Sequence, residues 1–182
     1  MSDLNNDSEM SAWIEKVGLT RKGPSEEIKA TDLSKVQRLD TDMGYLFFKA
    51  TGEISKFEGR LTHHLSSHYA ERIVDVVKVH PTNPWFLMKE LKGKPLRQIK
   101  DKKIWKQCLQ EYAELQVKEV QRVETLLEMG VPDRRLPVLK NEIQKNLFDM
   151  CNTGLDQAET AQVMGLQAGI LRMCGTIFDR SW

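Results

Sequence analysis

The sequence has little of several features that mark specialised classes of protein. It has three cysteines, Cys108, Cys151 and Cys174, which lie far apart and form neither a CxxC pair nor a disulfide framework. We therefore expect a reduced, cytoplasmic setting. Excess charge of one sign is also missing, because 27 Lys and Arg residues stand against 26 Asp and Glu residues, a formal net charge of +1. This balance argues against a nucleic-acid binder that depends on bulk electrostatics.

Long hydrophobic runs and several familiar catalytic motifs are missing as well. No apolar stretch approaches the ~18 residues needed to cross a bilayer, so no membrane association is expected. The polar start from Met1 to Glu9 contains no apolar core of a secretory signal. The patterns GxxxxGK[ST], GxSxG and GxGxxG do not occur. What remains is a chain of 182 residues, 40% hydrophobic and 29% charged, which suits one large globular domain or two small ones.

The first half of the chain has mostly β character. Residues 1–10 are expected to be a disordered tail, and Trp13, Ile14 and Val17 indicate a short helix that ends near Gly18. Five segments are β-favouring or apolar and are predicted to be strands: 26–30, 36–39, 44–50, 73–79 and 85–88. Turn residues before the strand 44–50 and between the last two strands support this division.

Helical spacing dominates the rest of the pattern. Phe57, Leu61 and Leu65 form one apolar stripe of the first of four predicted helices, which cover residues 54–68, 104–129, 136–150 and 157–178. Charged side chains along the longest helix are interpreted as its solvent face: Lys102, Lys103, Lys106, Glu111, Lys118 and Glu119. Because the strands and most of the helices are segregated along the chain, we expect an α+β fold.

Lys49 and Glu58 are the pair with the clearest chemical interpretation. Lys49 lies near the end of the predicted strand 44–50, and Glu58 lies near the start of the helix that follows. Kinase-like folds use a strand lysine, held by a helix glutamate, to fix the phosphates of a nucleotide. Taken alone, the spacing also suits a solvated or loosely paired lysine and glutamate on the surface.

Three other groups have both a functional and a structural interpretation. The segment from Trp85 to Leu91 suits either a core strand with a polar turn or a hinge whose backbone meets an adenine edge. His64 and His68 have a zinc-compatible spacing but no third ligand nearby, so partly exposed helix histidines are favoured. Asp133, which precedes two arginines, is interpreted as a helix cap with solvated arginines in preference to an anion site.

In order and spacing, several segments resemble the amino-terminal part of the aminoglycoside phosphotransferase family, which has a protein-kinase-like fold. The resemblance runs from about Glu26 to Phe178. In chain order the segments are Gly44-Tyr-Leu-Phe-Phe-Lys-Ala50, Phe57-Glu-Gly-Arg-Leu61 followed by Leu65, the strand 73–79, Trp85-Phe-Leu-Met88 with Gly93-Lys-Pro-Leu96, Trp105 with Tyr112-Ala-Glu-Leu-Gln116, and Gly130-Val-Pro-Asp-Arg-Arg135.

The resemblance implies a kinase-like N-lobe, made of an antiparallel sheet plus one helix, followed by an all-helical and incomplete C-lobe. Residues 11–92 would form the nucleotide lobe, 93–100 the hinge and 101–182 the helical part of the substrate lobe. The implied activity is ATP-dependent transfer of a phosphoryl group to the hydroxyl of a small molecule. The sequence does not indicate which small molecule is the acceptor.

The same resemblance assigns roles in ATP binding. Lys49 would contact the α/β-phosphates, and Glu58 would hold Lys49. Ser34 would lie in the loop over the phosphates, and Val36, shortly after it, is a further expected ATP-binding residue. The hinge, whose backbone from Lys89 onward would meet the adenine, comprises Met88, Lys89, Glu90 and Leu91.

The sequence departs from the family pattern in two places. The loop at 31–34 lacks the glycine-rich kinase pattern, and no His-x-Asp followed closely by Asn occurs anywhere. The chain stops at Asp179-Arg-Ser-Trp182, about where that catalytic loop would begin, so the catalytic base and the Mg²⁺ ligands are expected to be missing. We expect little or no turnover from this chain alone. The alternative is a non-catalytic nucleotide-binding or helical module, in which the helices after Asp101 present apolar surface to a partner or to a second copy.

Overall fold

The protein was analysed as a computed structural model, and the residues that it describes are 7–135, 138–139, 141–143, 145–146, 156–163, 165–166 and 169. Contacts divide the chain into two compact units, Met1–Val131 and Pro132–Trp182. The first unit therefore continues beyond the predicted hinge at 93–100 and includes the long helical segment that follows it. In the second unit, the described residues 138–139, 141–143, 145–146, 157–163, 165–166 and 169 are helical. The remaining parts of the helices predicted over 136–150 and 157–178 lie outside the described residues.

The first unit combines one sheet with several helices, which confirms the predicted α+β class. In chain order its elements are α1 (Asp7–Lys16), β1 (Glu26–Thr31), β2 (Ser34–Thr41), β3 (Gly44–Thr51), α2 (Glu58–His68), β4 (Val76–Val79), β5 (Trp85–Lys89), α3 (Lys102–Glu119) and α4 (Val123–Glu128). The five strands form one antiparallel sheet in the order β1-β2-β3-β5-β4. No helix in the described part of the chain is both long enough and apolar enough to span a membrane.

The sheet has two different faces, because successive side chains of a strand point to opposite sides. In β2 half-buried and buried residues alternate along the whole strand. One face packs under helix α1, and the apolar core on this side comprises Met10, Trp13, Ile14, Leu19, Leu39, Leu46, Phe48, Ala50, Trp85 and Leu87. The opposite face carries Lys49 and lies toward helix α2, whose first residue contacts that lysine.

Helix α1 begins at Asp7, so the prediction of a disordered tail was wrong for residues 7–10. The reason is burial, since Met10 is only 2% exposed and Ile14 is completely buried against the sheet. Trp13 adds an edge contact to Phe48, with the ring centroids 6.2 Å apart. The sequence around Met10 is polar and does not predict this burial, because the residues that bury it come from the sheet. Residues 1–6 lie outside the described part of the chain.

At Gly59, helix α2 lies close to the sheet. A Cβ atom at this position would lie 3.0 Å from Cδ1 of Phe86, which is a buried residue of β5. A glycine therefore allows the helix backbone to contact the aromatic ring directly. After the helix, the N–H groups of Arg72 and Ile73 both donate to the carbonyl of Tyr69. This turn explains why β4 begins only at Val76, later than the strand predicted over 73–79.

The helix predicted over 104–129 is divided in the structure. Helix α3 ends at Glu119, a 3₁₀ turn covers Val120–Arg122, and α4 follows. Arg122 leaves helical backbone angles, with φ −116° and ψ 21°, and its side chain returns to Glu119. At the other end, the Asp101 carboxylate accepts the N–H of Lys103 at 2.8 Å and caps α3. The single amphipathic pattern thus becomes two helices.

Candidate functional site

Lys49 and Glu58 form an ion pair between strand β3 and the first turn of helix α2. The ammonium of Lys49 donates a hydrogen bond to Oε1 of Glu58. The two side chains are 22% and 33% exposed, so water screens this pair less than it screens a fully exposed one. The structure therefore brings the two predicted residues together and holds the lysine at a defined point of the sheet. This observation favours the functional interpretation of the spacing over a solvated surface lysine.

Neighbouring strands form apolar walls on both sides of Lys49. In the sheet register, Val36 of β2 and Phe86 of β5 lie directly opposite this lysine. Because cross-strand partners and alternate residues share a face, Ser34, Val36 and Lys49 all lie on one side of the sheet. Val36 and the lysine are thus adjacent.

Ser34 lies at the end of the tight turn that joins β1 to β2. Its backbone N–H donates to the hydroxyl oxygen of Thr31 at 3.1 Å. The carbonyl of Leu33, inside the same turn, accepts the N–H of Gly52 at 2.8 Å. This hydrogen bond attaches the turn to Gly52, which directly follows β3 and lies three positions after Lys49. The turn lies beside Lys49 and contains no glycine.

The predicted hinge contains residues with different roles. Met88 lies opposite Phe47, which places it on the same face of the sheet as Lys49. The next residue, Lys89, is engaged elsewhere, because its ammonium lies 2.6 Å from Oδ2 of Asp75. The backbone N–H of Lys89 also donates to the carbonyl of Asp75 at 2.9 Å. This N–H is consequently not available to an adenine edge.

The two residues after β5 are better placed to meet a ligand through their backbone. The Glu90 carboxylate accepts a hydrogen bond from Nη2 of Arg38 at 3.0 Å, and that guanidinium lies over the ring of Tyr45. Leu91 is 65% exposed. Outside the strand ladders of the described residues, no backbone carbonyl accepts the N–H of Glu90 or Leu91. Any N–H donation from the predicted hinge segment therefore falls to these two residues.

A second polar cluster lies between α2 and α3, and we call it the Glu119 cluster: Glu119, His64, Tyr69 and Arg122. Glu119 is only 5% exposed, and its carboxylate accepts from Nε2 of His64 at 2.9 Å and from Oη of Tyr69 at 2.8 Å. Nη1 of Arg122 donates to Oε1 of Glu119 at 2.8 Å, and this is the oxygen that also accepts from Tyr69. Burial opposes ionisation, but the hydrogen bonds from His64 and Tyr69 outweigh it and lower the pKa of Glu119.

The Glu119 cluster corrects one sequence prediction, because Glu119 does not belong to the solvent face of the long helix. His64 as a whole residue is partly exposed, as predicted, although its side chain is only 8% exposed. Its neighbour His68 is exposed, as predicted, and donates from Nδ1 to the carbonyl of His64. The sequence contains no local signal for this cluster, because His64 and Glu119 are 55 positions apart. A helical pattern distinguishes charged from apolar positions but not the few charged side chains that become buried.

Metal-binding groups were sought throughout the described residues. No three His, Cys, Asp or Glu side chains of that part of the chain come together as a metal site requires. His64 has its Nε2 atom committed to Glu119, so the spacing of His64 and His68 does not lead to a shared ligand set.

Asp133, in the second unit, accepts the backbone N–H of Arg135 through its Oδ1 atom at 3.0 Å. Arg134 and Arg135 are not helical, so the helix cap at Asp133 stays a prediction. The Arg135 side chain also pairs with this carboxylate, with Nη2 2.6 Å from Oδ2. These hydrogen bonds from Arg135 lower the pKa of Asp133. Arg135 is thus engaged locally and is not a free solvated arginine.

A cavity of about 810 Å³ lies on the opposite face of the sheet from Lys49. Its walls include Trp13, Lys16, His80 and Trp85. His80 Nδ1 accepts the backbone N–H groups of Thr82 and Asn83, so it shapes the turn between β4 and β5. Burial, with a smaller effect of Lys16, lowers the pKa of His80. None of the predicted nucleotide-binding residues lines this cavity.

Comparison with known proteins adds no family assignment to this geometry. No protein-family model matches the sequence. No curated protein matches it significantly. The sheet, its order and the Lys49–Glu58 pair are therefore the observations on which a functional proposal rests.

Proposed function

We propose that this chain binds ATP beside the Lys49–Glu58 pair, as the nucleotide lobe of a protein that resembles the aminoglycoside phosphotransferase family. The observation that carries the proposal is the partly buried ion pair between β3 and α2. Lysine–glutamate pairs in this position of a kinase-like lobe orient the lysine toward nucleotide phosphates. A lysine on an open, solvated surface would need neither Val36 and Phe86 as apolar neighbours nor a glutamate from the first turn of the next helix as its partner.

The strand register supports a nucleotide laid along β3. Leu46 pairs with Lys89 at the hinge end, and Lys49 follows three positions later toward the β1–β2 turn. With a rise of about 3.3 Å per residue, the hinge end and the lysine are about 10 Å apart. An adenine near Glu90 and Leu91 would thus leave the phosphates near Lys49 and the turn that ends at Ser34. Because the N–H of Lys89 is occupied, N–H donation to the adenine would come from the two residues after it.

The chain's own residues would bind and orient the nucleotide. Lys49 would offset the charge of the α/β-phosphates, and Glu58 would hold the lysine in place. Bound ATP would supply the phosphoryl group for transfer to a small-molecule hydroxyl. Because the sequence contains no His-x-Asp…Asn pattern, we propose binding without turnover by this chain alone.

Isothermal calorimetry with ATP and Mg²⁺ tests this proposal. Lys49→Ala should weaken ATP binding by about tenfold or more, because it removes a charge-assisted hydrogen-bond donor. Lys56→Ala is the matched control, since Lys56 is 66% exposed and pairs only with nearby Glu53. Its affinity should equal that of the wild type. Identical binding by wild type and Lys49→Ala, or no binding by either, would refute the proposed site.

A second candidate function is a helical interaction module, and exposed apolar residues of α3 and its end favour it. Leu109, Tyr112, Val117 and Val120 are 61%, 60%, 71% and 70% exposed. Apolar groups this exposed commonly mark contact surfaces. Light scattering over a concentration series would show self-association, and Leu109→Glu should reduce it. A monomer at all concentrations would count against a surface for a second copy.

A further inference from the structure

The starting point is the connectivity of the Glu119 cluster. Its carboxylate receives hydrogen bonds from His64 within α2, from Tyr69 at the end of α2 and from Arg122 after α3. The cluster therefore joins the second half of α2 to the end of α3. Arg122 also lies 3.4 Å from Oη of Tyr69, so the same groups contact one another as well as the carboxylate.

Such a cluster holds its segments at defined positions. A buried carboxylate is costly unless its oxygens are hydrogen-bonded, and a shift of α2 would remove two of the three donors of Glu119. The C-terminal end of α2 is closed by the N–H of Tyr69, which donates to the carbonyl of Leu65. The helix and the tyrosine beyond it thus form one continuous unit held against α3.

Helix α2 also carries Glu58, which is the partner of Lys49. His64 follows Glu58 by six positions, a distance of about 9 Å along a helix axis. The position of the start of α2 is fixed by the Lys49–Glu58 ion pair and by the close contact of Gly59 with Phe86. The second half of the helix is set by Glu119. A displacement at one end of so short a helix must change the other end.

We propose that Glu119 is a positioning residue, which holds α2 through His64 and Tyr69 so that Glu58 stays against Lys49. This inference rests on the proposed function in that the Lys49–Glu58 pair is taken as the nucleotide site. It assigns to the helical segment a part in forming that site. The nucleotide site would then depend on residues more than 50 positions downstream of its lysine.

The test measures Lys49 itself, without nucleotide. The acylation rate of each lysine is followed by peptide mass spectrometry in the full chain, with exposed Lys56 as an internal reference. In Glu119→Gln the carboxamide cannot accept from all three donors, so α2 should loosen and Lys49 should lose its partner for part of the time. We expect the Lys49 rate to rise by roughly two- to thirtyfold, the range of measured network couplings.

Glu114→Gln is the matched control for the glutamate substitution. Glu114 lies on the same helix and links it to Arg72 after α2, but its side chain is 58% exposed and the N···O distance is 3.3 Å. This variant should leave the Lys49 rate unchanged, because exposed pairs contribute little. If Glu119→Gln is poorly folded, Tyr69→Phe removes a single hydroxyl donor and should raise the rate in the same direction.

A histidine pair of variants separates positioning from general stability. His64→Gln retains an N–H donor for Glu119 and should remain close to wild type, whereas His64→Leu should resemble Glu119→Gln. A lower melting temperature with an unchanged Lys49 rate in Glu119→Gln and His64→Leu would overturn the inference. ATP titration of the same variants is scored separately. A wild type that binds no ATP refutes the proposed function, while the acylation rates still decide the role of Glu119.

Discussion

Gly59→Ala is the substitution that examines the contact between α2 and the sheet most directly. The added Cβ atom would lie 3.0, 3.2 and 3.3 Å from Cδ1, Cβ and Cγ of Phe86. Favourable carbon–carbon contacts are about 3.5–4.0 Å, so the ring or the helix must move by several tenths of an ångström. Phe86 is only 1% exposed and is paired on both sides by neighbouring strands, which leaves the ring little space to move.

Two opposing effects determine the size of the change. Alanine is preferred to glycine inside a helix by up to ~1 kcal/mol. Overpacking of a filled core costs about 1–3 kcal/mol. We therefore expect a net loss of about 1 kcal/mol in the free energy of unfolding. The packing cost exceeds the gain in helix propensity, because Gly59 lies near the start of the helix, where that gain is small. An outward movement of α2 would relieve the contact, but it would also withdraw Glu58 from Lys49.

Hydrogen exchange of the α2 amides measures this effect. Gly165→Ala is the control, because Gly165 is helical and has no heavy atom within 4 Å of the added Cβ position. The control should slow exchange in its own helix, whereas Gly59→Ala should accelerate exchange in α2 and raise the acylation rate of Lys49. Slower exchange in both variants would refute the steric reasoning, since it would mean that Phe86 yields without cost.

Two further predictions concern stability. Leu39→Ala should lower the free energy of unfolding by about 2–5 kcal/mol in urea titrations, because it opens a cavity at a completely buried position. A loss below about 1 kcal/mol would show that the site collapses. The lowered pKa of Glu119 means that its stabilisation is present above its ordinary pKa and is lost as the pH falls through the folded-state value. Glu119→Gln should therefore flatten the acid limb of stability against pH, and an unchanged limb would contradict this assignment.

The sequence by itself determined the elements whose signals are local. Alternating and β-favouring residues predicted all five strands, and the strand over 44–50 matches β3 with one residue more at its end. The same local pattern identified Lys49 and Glu58, because a lysine late in a strand and a glutamate early in the next helix are only nine positions apart. The spacing alone also suited a solvated or loosely paired lysine and glutamate, so the ion pair itself is shown only by the folded structure.

The tertiary structure decided which side chains are buried by distant segments. From the sequence, Met10 was assigned to a polar tail and Glu119 to the solvent face of a long helix. In the folded chain both residues are buried. Periodicity describes how an element is divided into faces, but it does not show which element packs against each face. The partners of Glu119 on α2 are 50 and 55 positions away, and only the folded chain brings them within hydrogen-bond distance. Burial of a charge depends on such partners, which is why local patterns did not predict it.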